Sequence, residues 1–124
     1  MAVEFEKFAE GGIYLTRVTG AVARTDMARS TATATELADA GELKAVIVDA
    51  RQVEFTRSEG LVRDMWDDSL SILPGHIPIA YIAPPGFAEV RLPMVREILA
   101  EWEQPVGFFE EIDAAAEWVS ARIA

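Results

Sequence analysis

Two short segments at the start of the chain alternate between apolar and polar residues. They run from Val3 to Phe8 and from Ile13 to Thr19, with Gly11-Gly12 between them. Alternation with a period of two is typical of half-buried strands, and a glycine pair favours a tight turn. We therefore predict that the chain opens with two paired strands. Because the apolar positions lose this period after Leu15, we expect a β-bulge or a change of register near Arg17.

The spacing of apolar and small residues becomes helical after Gly20. Thr25 is a suitable cap and Gly41 a suitable stop, which predicts a helix between them. Several threonines lower the helix propensity of this segment, so its stability must come from close packing on a sheet. The positions that share its small-residue face are Met27, Thr31, Ala34 and Ala38.

A continuous apolar segment with many β-branched residues follows. It runs from Lys44 to Asp49 and is typical of a strand buried on both faces, which predicts a central position in the sheet. Residues Thr56 to Leu73 then show apolar stripes at helical spacing. This pattern predicts a second helix, which Pro74-Gly75 ends.

The last third of the chain predicts two more strands. The first runs from Ile77 to Ala83, and Pro78 must lie in its first turn or at a bulge because proline cannot donate a ladder hydrogen bond. The second runs from Val106 to Phe109, before a terminal helix that Asp113 caps. Pro84-Pro85-Gly86 opens a third helical region between the two strands.

Pro93 lies inside this third helical region. Either a short turn precedes a helix that starts near Leu92, or one longer helix bends at the proline. The predicted order is β-β-α-β-α-β-α-β-α, and alternating strands and helices imply right-handed crossovers. We expect one α/β domain over residues 1–124, with a single-layer, mostly parallel sheet of about five strands and helices packed on it.

Composition supports a folded domain and narrows its partners. Hydrophobic residues make up 51% of the 124 residues, which is too many for a disordered chain. Acidic residues outnumber Lys plus Arg by 21 to 11, and the net charge of -10 repels phosphate backbones and anionic lipid headgroups. We expect no nucleic acid and no stable membrane association. A homodimer through the exposed edge of the first strand pair is compatible with the sequence.

The absence of cysteine and of a long apolar run narrows the possible chemistry and cellular compartment of the protein. The chain has no cysteine, which removes disulfides, thiolate metal sites and Cys nucleophiles. Charged residues such as Glu4 and Glu6 interrupt the first ten residues, and no apolar run approaches the ~18 residues of a spanning helix. The sequence therefore predicts a cytoplasmic protein.

The segment after the central strand carries the most specific pattern. In a parallel sheet, ligands and partners meet the loops beyond the carboxyl ends of the strands. Here the segment is DARQVEFTRSEGL, from Asp49 to Leu61. It resembles the STAS domains of anti-sigma factor antagonists, in which Asp, an apolar-x-Phe step and Asp-Ser-Ser-Gly-Leu follow in this order. Segments 79–84 and 108–119 are similar to the stand-alone bacterial branch, the SpoIIAA-like proteins. The residues that match the loop pattern in register are Asp49, Val53, Phe55, Ser58, Gly60 and Leu61.

The resemblance implies a non-catalytic regulatory domain that binds a protein, such as an anti-sigma or kinase-type regulator. Glu59 occupies the position of the family's phosphorylated Ser, so it would imitate the modified state with one fixed negative charge. Ser58 is a weak alternative acceptor. The residues that this hypothesis assigns to the partner-binding surface are Asp49, Arg51, Thr56, Arg57, Ser58, Glu59, Gly60 and Trp66.

Structural roles explain the same residues and are preferred. Thr56 and Glu59 fit a capping box, in which each side chain satisfies a free backbone donor of the other residue. A carboxylate in a first helical turn is also stabilised by about 0.3 to 1 kcal/mol. Asp49 and Arg51 are expected to tie down the loop. Trp66 is expected in the core, and an exposed ring at this position would instead mark a contact surface.

A second hypothesis is a binder of a lipid or another small apolar ligand. The SpoIIAA-like branch also resembles CRAL-TRIO lipid-transfer proteins in fold, which implies a pocket between sheet and helices. Pro85, Gly86, Phe87 and Arg91 are then expected at its mouth, although a helix-start turn with surface arginines explains these residues as well. A fully packed core would count against this hypothesis.

An enzyme is the weakest alternative, since no nucleophile, base and orienting group fall together in the sequence. His76 is the only histidine, so we expect no metal site and no cofactor. Asp49 at a strand end also invites comparison with the phosphoacceptor of a receiver domain. The sequence lacks the acidic pair and the lysine that such a domain places at the ends of its first and last strands.

Overall fold

A computed structural model describes residues 2–20, 24–53, 59–90 and 92–123. The strands are β1 (Ala2–Ala9), β2 (Ile13–Gly20), β3 (Ala45–Val53), β4 (Ile79–Ile82) and β5 (Val106–Phe109). The helices are α1 (Arg24–Asp39), α2 (Glu59–Ile72), α3 (Phe87–Val90), α4 (Leu92–Leu99) and α5 (Ile112–Ile123).

The strands form one sheet in the order β1-β2-β3-β4-β5. β1 is antiparallel to β2, and every other neighbouring pair is parallel. The predicted α/β class with a mostly parallel sheet is confirmed, and β3 is central as its continuous apolar run predicted. β1 forms one edge of the sheet, so the homodimer through this edge stays a prediction.

The irregularity predicted near Arg17 lies in the pairing of β2 with β3. Arg17 is opposite Asp49 but Thr19 is opposite Gln52, so β3 carries one extra residue beside Val18. The bulge is therefore in β3 and not in β2. The apolar period of β2 looked broken for another reason. Leu15 and Val18 are both buried but face opposite sides of the sheet, because β2 is covered on both faces.

β3 continues past its predicted end at Asp49 to Val53. The segment around Arg51, which the sequence predicted as loop, is therefore strand. Thr19 and Gly20 of β2 continue the pairing after the bulge, opposite Gln52 and Val53. Hydrophobic pattern did not reveal this extension because Arg51 and Gln52 are exposed.

Helix starts differ from the predicted caps by small shifts. α1 begins at Arg24, so Thr25 lies inside the first turn, and α5 begins at Ile112, so Asp113 also lies inside its helix. The Asp113 carboxylate remains next to the positive end of the helix dipole, which is stabilising. Thr56, the predicted cap of α2, lies outside the described residues.

The predicted helix stop at Gly41 is confirmed. This glycine has a φ of 77°, and its N–H donates to the Ala38 carbonyl at 3.0 Å. The Glu42 N–H donates to the Leu37 carbonyl at 2.9 Å. This is the Schellman arrangement, in which a left-handed glycine lets the last carbonyls of a helix find donors.

Two prolines mark the starts of elements. Pro78 directly precedes β4, and its carbonyl accepts a hydrogen bond from the Val46 N–H at 3.0 Å, as expected for a proline at a strand start. Pro93 is the second residue of α4, which the short α3 precedes. Arg91, the residue between α3 and α4, lies outside the described residues, so the choice between a short turn and one helix that bends at the proline stays a prediction.

The sheet has helices on both faces. α1, α2 and α4 pack on one face, which we call the α1/α2 face, and α5 packs on the other, which we call the α5 face. The buried residues of the α1/α2 face include Ala34, Val46, Leu70, Ile79 and Val95. Those of the α5 face include Ile47, Ala80, Ile82, Ala115 and Val119.

Candidate binding site

The structure separates the predicted partner-binding residues between the two faces. Asp49 pairs in the sheet with Ile82, which belongs to the core of the α5 face, so Asp49 also faces α5. Trp66 packs against the core of the α1/α2 face. Glu59 and Gly60 are the first two residues of α2, and Thr56, Arg57 and Ser58 lie outside the described residues.

Asp49 and Arg51 form a two-pronged ion pair beside the β3 bulge. The Arg51 Nε and Nη2 donate to the two carboxylate oxygens of Asp49 at 3.0 and 2.8 Å. The Arg51 backbone N–H donates to the same carboxylate at 3.2 Å. Asp49 is only 8% exposed, and the Arg51 guanidinium holds the pKa of its carboxyl below the ordinary value despite the opposing effect of burial.

This pair links the end of β3 to the start of α5. The Arg51 Nη1 lies 3.8 Å from a carboxylate oxygen of Glu111, the residue before α5. Both carboxylate oxygens of Asp49 accept from Arg51, and such two-pronged, charge-assisted pairs are strong and fix geometry. The contacts fit the preferred interpretation, in which these two residues hold the strand end in place.

A partly open cavity lies between α1, α2 and the sheet. Its volume is about 160 Å³. It reaches the carboxyl ends of β3 and β4, where parallel α/β sheets place their binding sites. Most of its walls are apolar. The described residues that line it are Thr16, Val18, Met27, Ser30, Thr31, Ala34, Val46, Val48, Ala50, Val53, Met65, Trp66, Ser69, Leu70, Leu73, Ile79, Tyr81, Pro84 and Phe87.

Three aromatic side chains form one end of this cavity. The ring centroids of Trp66 and Tyr81 are 5.2 Å apart, as are those of Tyr81 and Phe87. Trp66 is half-buried and turned toward the sheet, which agrees with the expectation of a core position. Burial raises the pKa of the Tyr81 phenol far above its ordinary value, so this group is neutral at physiological pH. Tyr81 keeps some accessible surface because it faces the cavity.

Two hydroxyl groups of the cavity lining meet between α1 and α2. Thr31 of α1 and Ser69 of α2 have their side-chain oxygens 3.2 Å apart. The Thr31 hydroxyl is also 2.9 Å from the Met27 carbonyl, to which it donates. They lie in a mostly apolar lining, whose other polar side chains, among the residues described, are those of Thr16, Ser30 and Tyr81.

One of the residues predicted at a ligand mouth lines this cavity, and the mouth itself stays a prediction. Phe87 and the neighbouring Pro84 line the cavity. Pro85 and Gly86 are exposed beside these two residues, and Gly86 adopts a φ of 82° in the turn before α3. Arg91 lies outside the described residues.

Sequence reasoning missed the hydroxyl pair and Tyr81 as site residues. A signal existed, because the small-residue face of α1 and the stripe of α2 each include a hydroxyl, at Thr31 and Ser69. Small residues on two adjacent helices leave space unless larger side chains fill it. The register that brings the two positions together could not be read from either helix alone.

His76 is exposed in the turn before β4. Across the described ranges, no three His, Asp or Glu side chains converge in a way that could hold a metal ion. Among the helices described, none is both long and apolar enough to cross a bilayer.

Comparison with solved structures identifies the fold. The unphosphorylated form of the anti-sigma factor antagonist SpoIIAA aligns over 97% of this chain and 98% of its own, with a TM-score of 0.58 and 12% identity. The fold is that of SpoIIAA. The phosphorylated form of SpoIIAA, a cell fate determinant of Bacillus, aligns over 94% of this chain and 99% of its own, with a TM-score of 0.58 and 16% identity.

A third solved structure agrees with these two. An anti-sigma factor antagonist from Mycobacterium paratuberculosis aligns over 96% of this chain and 95% of its own, with a TM-score of 0.56 and 17% identity. No protein-family model matches the sequence, and no curated protein matches it significantly. The predicted resemblance to the SpoIIAA-like branch of the STAS domains is therefore confirmed for the fold.

Proposed function

We propose that this chain is a regulatory domain that binds a protein partner, as an anti-sigma factor antagonist does. The observation that carries the proposal is the match to SpoIIAA structures over nearly the whole of both chains. The proposed partner is an anti-sigma or kinase-type regulator. A net charge of -10 favours a partner with a basic docking surface, because opposite potentials speed encounter and fix orientation.

The proposed docking surface is the start of α2. The structure describes α2 from Glu59 onward. The resemblance to the STAS pattern supports the assignment of Glu59 to the position of the family's phosphorylated Ser. A carboxylate there carries one permanent negative charge where phosphate would carry about -1.5 to -2. We expect docking without prior phosphorylation, since the charge is fixed.

The test uses the anti-sigma kinase encoded nearest to this gene, purified and titrated calorimetrically with the full chain. Glu59→Ala is expected to weaken binding about tenfold or more, because a charge at the centre of an interface is lost. The control is Glu117→Ala, which removes an exposed carboxylate from α5 and should leave binding unchanged.

Phosphate incorporation sharpens the same test. Wild type incubated with the kinase and ATP should take up no phosphate at Ser58, whereas Glu59→Ser should gain a phosphate at residue 59. Stoichiometric phosphate on Ser58 would contradict docking by a fixed charge and would show that phosphorylation of Ser58 is the switch. Absence of any binding by wild type, or equal weakening by both alanine variants, would overturn the proposal.

A second candidate function is binding of a small apolar ligand, which the cavity between α1, α2 and the sheet favours. A fully packed core would count against this function, and the described residues leave this space between sheet and helices. Native mass spectrometry of the purified chain tests it. A bound non-protein mass that is lost on mild denaturation is expected. Its absence, together with failure of every apolar probe to bind, would remove this candidate.

A further inference from the structure

The size of the cavity limits its occupant. Its volume is about 160 Å³, and an apolar protein cavity of ~150 Å³ holds one benzene-sized molecule. A fatty acyl chain or a phospholipid is several times larger than this space, so most of it would have to extend out through the open side. The fitting occupant is one compact molecule of about a single aromatic ring.

The lining limits the charge of the occupant. No Asp, Glu, Lys, Arg or His is among the described residues that line the cavity. A charged group that leaves water without a partner loses several kcal/mol of solvation, which its apolar surroundings do not return. The Tyr81 phenol is neutral as well, because burial raises its pKa. A neutral occupant is therefore strongly favoured over an ion.

The hydroxyl pair limits the polarity of the occupant. Thr31 gives its one proton to the Met27 carbonyl, so Ser69 must supply the proton in the bond between the two hydroxyls. This arrangement occupies the Ser69 proton but leaves the lone pairs of its oxygen to accept. Ser69 lines the cavity, so its oxygen is an acceptor to which a donor group of a ligand can bond.

We infer that the cavity binds one neutral, single-ring-sized molecule that carries a hydroxyl or N–H donor. Its apolar body packs against Trp66 and Tyr81, and its donor bonds to the Ser69 oxygen. Aromatic walls suit a ring, because offset and edge-on contacts between rings add to the burial of apolar area. The inference rests on the second candidate function and names the class of ligand.

The test is ¹⁹F NMR titration of the full chain with three probes of similar size. They are 4-fluorophenol, which has a donor, 4-fluorotoluene, which has none, and 4-fluorobenzoate, which is charged. Both neutral probes are expected to bind. The benzoate should bind at least about a hundredfold more weakly than the phenol, because its carboxylate loses its hydration.

Two serine variants test the donor. Ser69→Ala removes the acceptor from the cavity, and Ser71→Ala is the matched control on the exposed side of the same helix. The affinity of the phenol relative to the toluene should fall about three- to tenfold in Ser69→Ala, which is the loss of one neutral hydrogen bond. It should not change in Ser71→Ala.

A filling variant tests the location. Val48 of β3 lines the cavity and is not fully buried, so Val48→Phe should occupy the space and abolish binding of both neutral probes. Ala34→Leu fills the cavity from α1 and serves if Val48→Phe does not fold. Thermal unfolding of each variant shows whether it is folded.

The outcomes separate this inference from the function on which it rests. Benzoate binding within tenfold of the phenol, or neutral binding that survives a folded filling variant, would overturn the inference. So would an unchanged phenol-to-toluene ratio in Ser69→Ala. If no probe binds but native mass spectrometry shows a long-chain lipid, the inference fails and the second candidate function stands. If neither is found, both fail.

Discussion

The two faces of the sheet are packed in different ways. On the α5 face, Ala45, Ala80 and Ala115 have no exposed surface, so the helix backbone lies close to the strands. A Cβ added to Gly107 would lie 2.8 Å from the Phe109 ring, which shows that this region has no room to spare. On the α1/α2 face, large aromatic rings and small helix residues share one layer, and a cavity of about 160 Å³ remains.

We expect this difference to separate stability from binding within one fold. Small residues in register on a helix and on strands allow dense packing, which maximises dispersion contacts. The side chains of α1 and α2 are a mixture of aromatic rings, hydroxyls and alanines. These do not fill the space between the helices and the sheet. We expect the α5 face to stabilise the domain and the α1/α2 face to carry the ligand site. Matched substitutions on the two faces test this division.

The largest expected effect comes from two isoleucines of β4. Ile82 is 0% exposed on the α5 face, and Ile79 is 6% exposed and lines the cavity. Ile82→Ala should lower the free energy of unfolding by about 4 kcal/mol, because it leaves a new void in dense surroundings. Ile79→Ala should cost only about 2 kcal/mol, since part of its surface already borders empty space. Urea unfolding measures both, and equal losses would contradict the division.

The next prediction enlarges two helical alanines instead of truncating core residues. Ala115→Leu adds bulk where α5 meets the sheet and should destabilise by about 1 to 3 kcal/mol. Ala34→Leu adds the same bulk toward the cavity and should be neutral or slightly stabilising. Both residues start nearly fully buried, so burial alone does not distinguish them. Thermal unfolding of the pair is the measurement, and similar losses would show that the cavity is not available space.

The smallest effect concerns the polar end of the α5 face. Asp49→Asn should lower stability by about 1 to 2 kcal/mol at pH 7, because it weakens the charge-assisted bonds from Arg51. Arg51 holds the pKa of Asp49 below its ordinary value of 3.8. The contribution is therefore complete above about pH 4 and is lost as the pH falls through the lower pKa of the folded state.

Urea unfolding of wild type and Asp49→Asn at pH 7 and pH 2.5 checks the direction of this pH dependence. The difference in free energy of unfolding between the two proteins should be smaller at pH 2.5. Glu4→Gln is the control, because Glu4 is exposed and lies 3.9 Å from Arg17, and such a pair contributes less than about 1 kcal/mol. If this difference in free energy of unfolding is the same at both pH values, the charge of Asp49 does not contribute to stability.

Local pattern predicted most of the architecture but not the end of its central strand. The apolar run at Lys44–Asp49 predicted a central strand, and Gly41 predicted a helix stop, because each depends on neighbours in sequence. The continuation of β3 through Arg51 to Val53 depends instead on pairing with Thr19 and Gly20 of β2. Such an extension depends on pairing with a neighbouring strand, and the sequence of the exposed residues does not predict it.

The candidate site was predicted less completely than the fold. Phe87 was expected at a ligand mouth and does line the cavity. Trp66 was expected in the core, and its half-buried ring lies on Tyr81. Tyr81 was not predicted as a site residue, because the sequence around a tyrosine in a buried strand does not show whether its ring packs in the core or lines a cavity.

The sequence by itself determined the order of strands and helices, the central position of β3 and the acidic charge of the domain. These follow from periodicity and composition, which act over a few residues or over the whole chain. Only the tertiary structure decided that Thr31 and Ser69, 38 positions apart, share a hydrogen bond in a cavity wall. That contact depends on the angle and register at which α1 and α2 pack, and those are set by every side chain between them and the sheet.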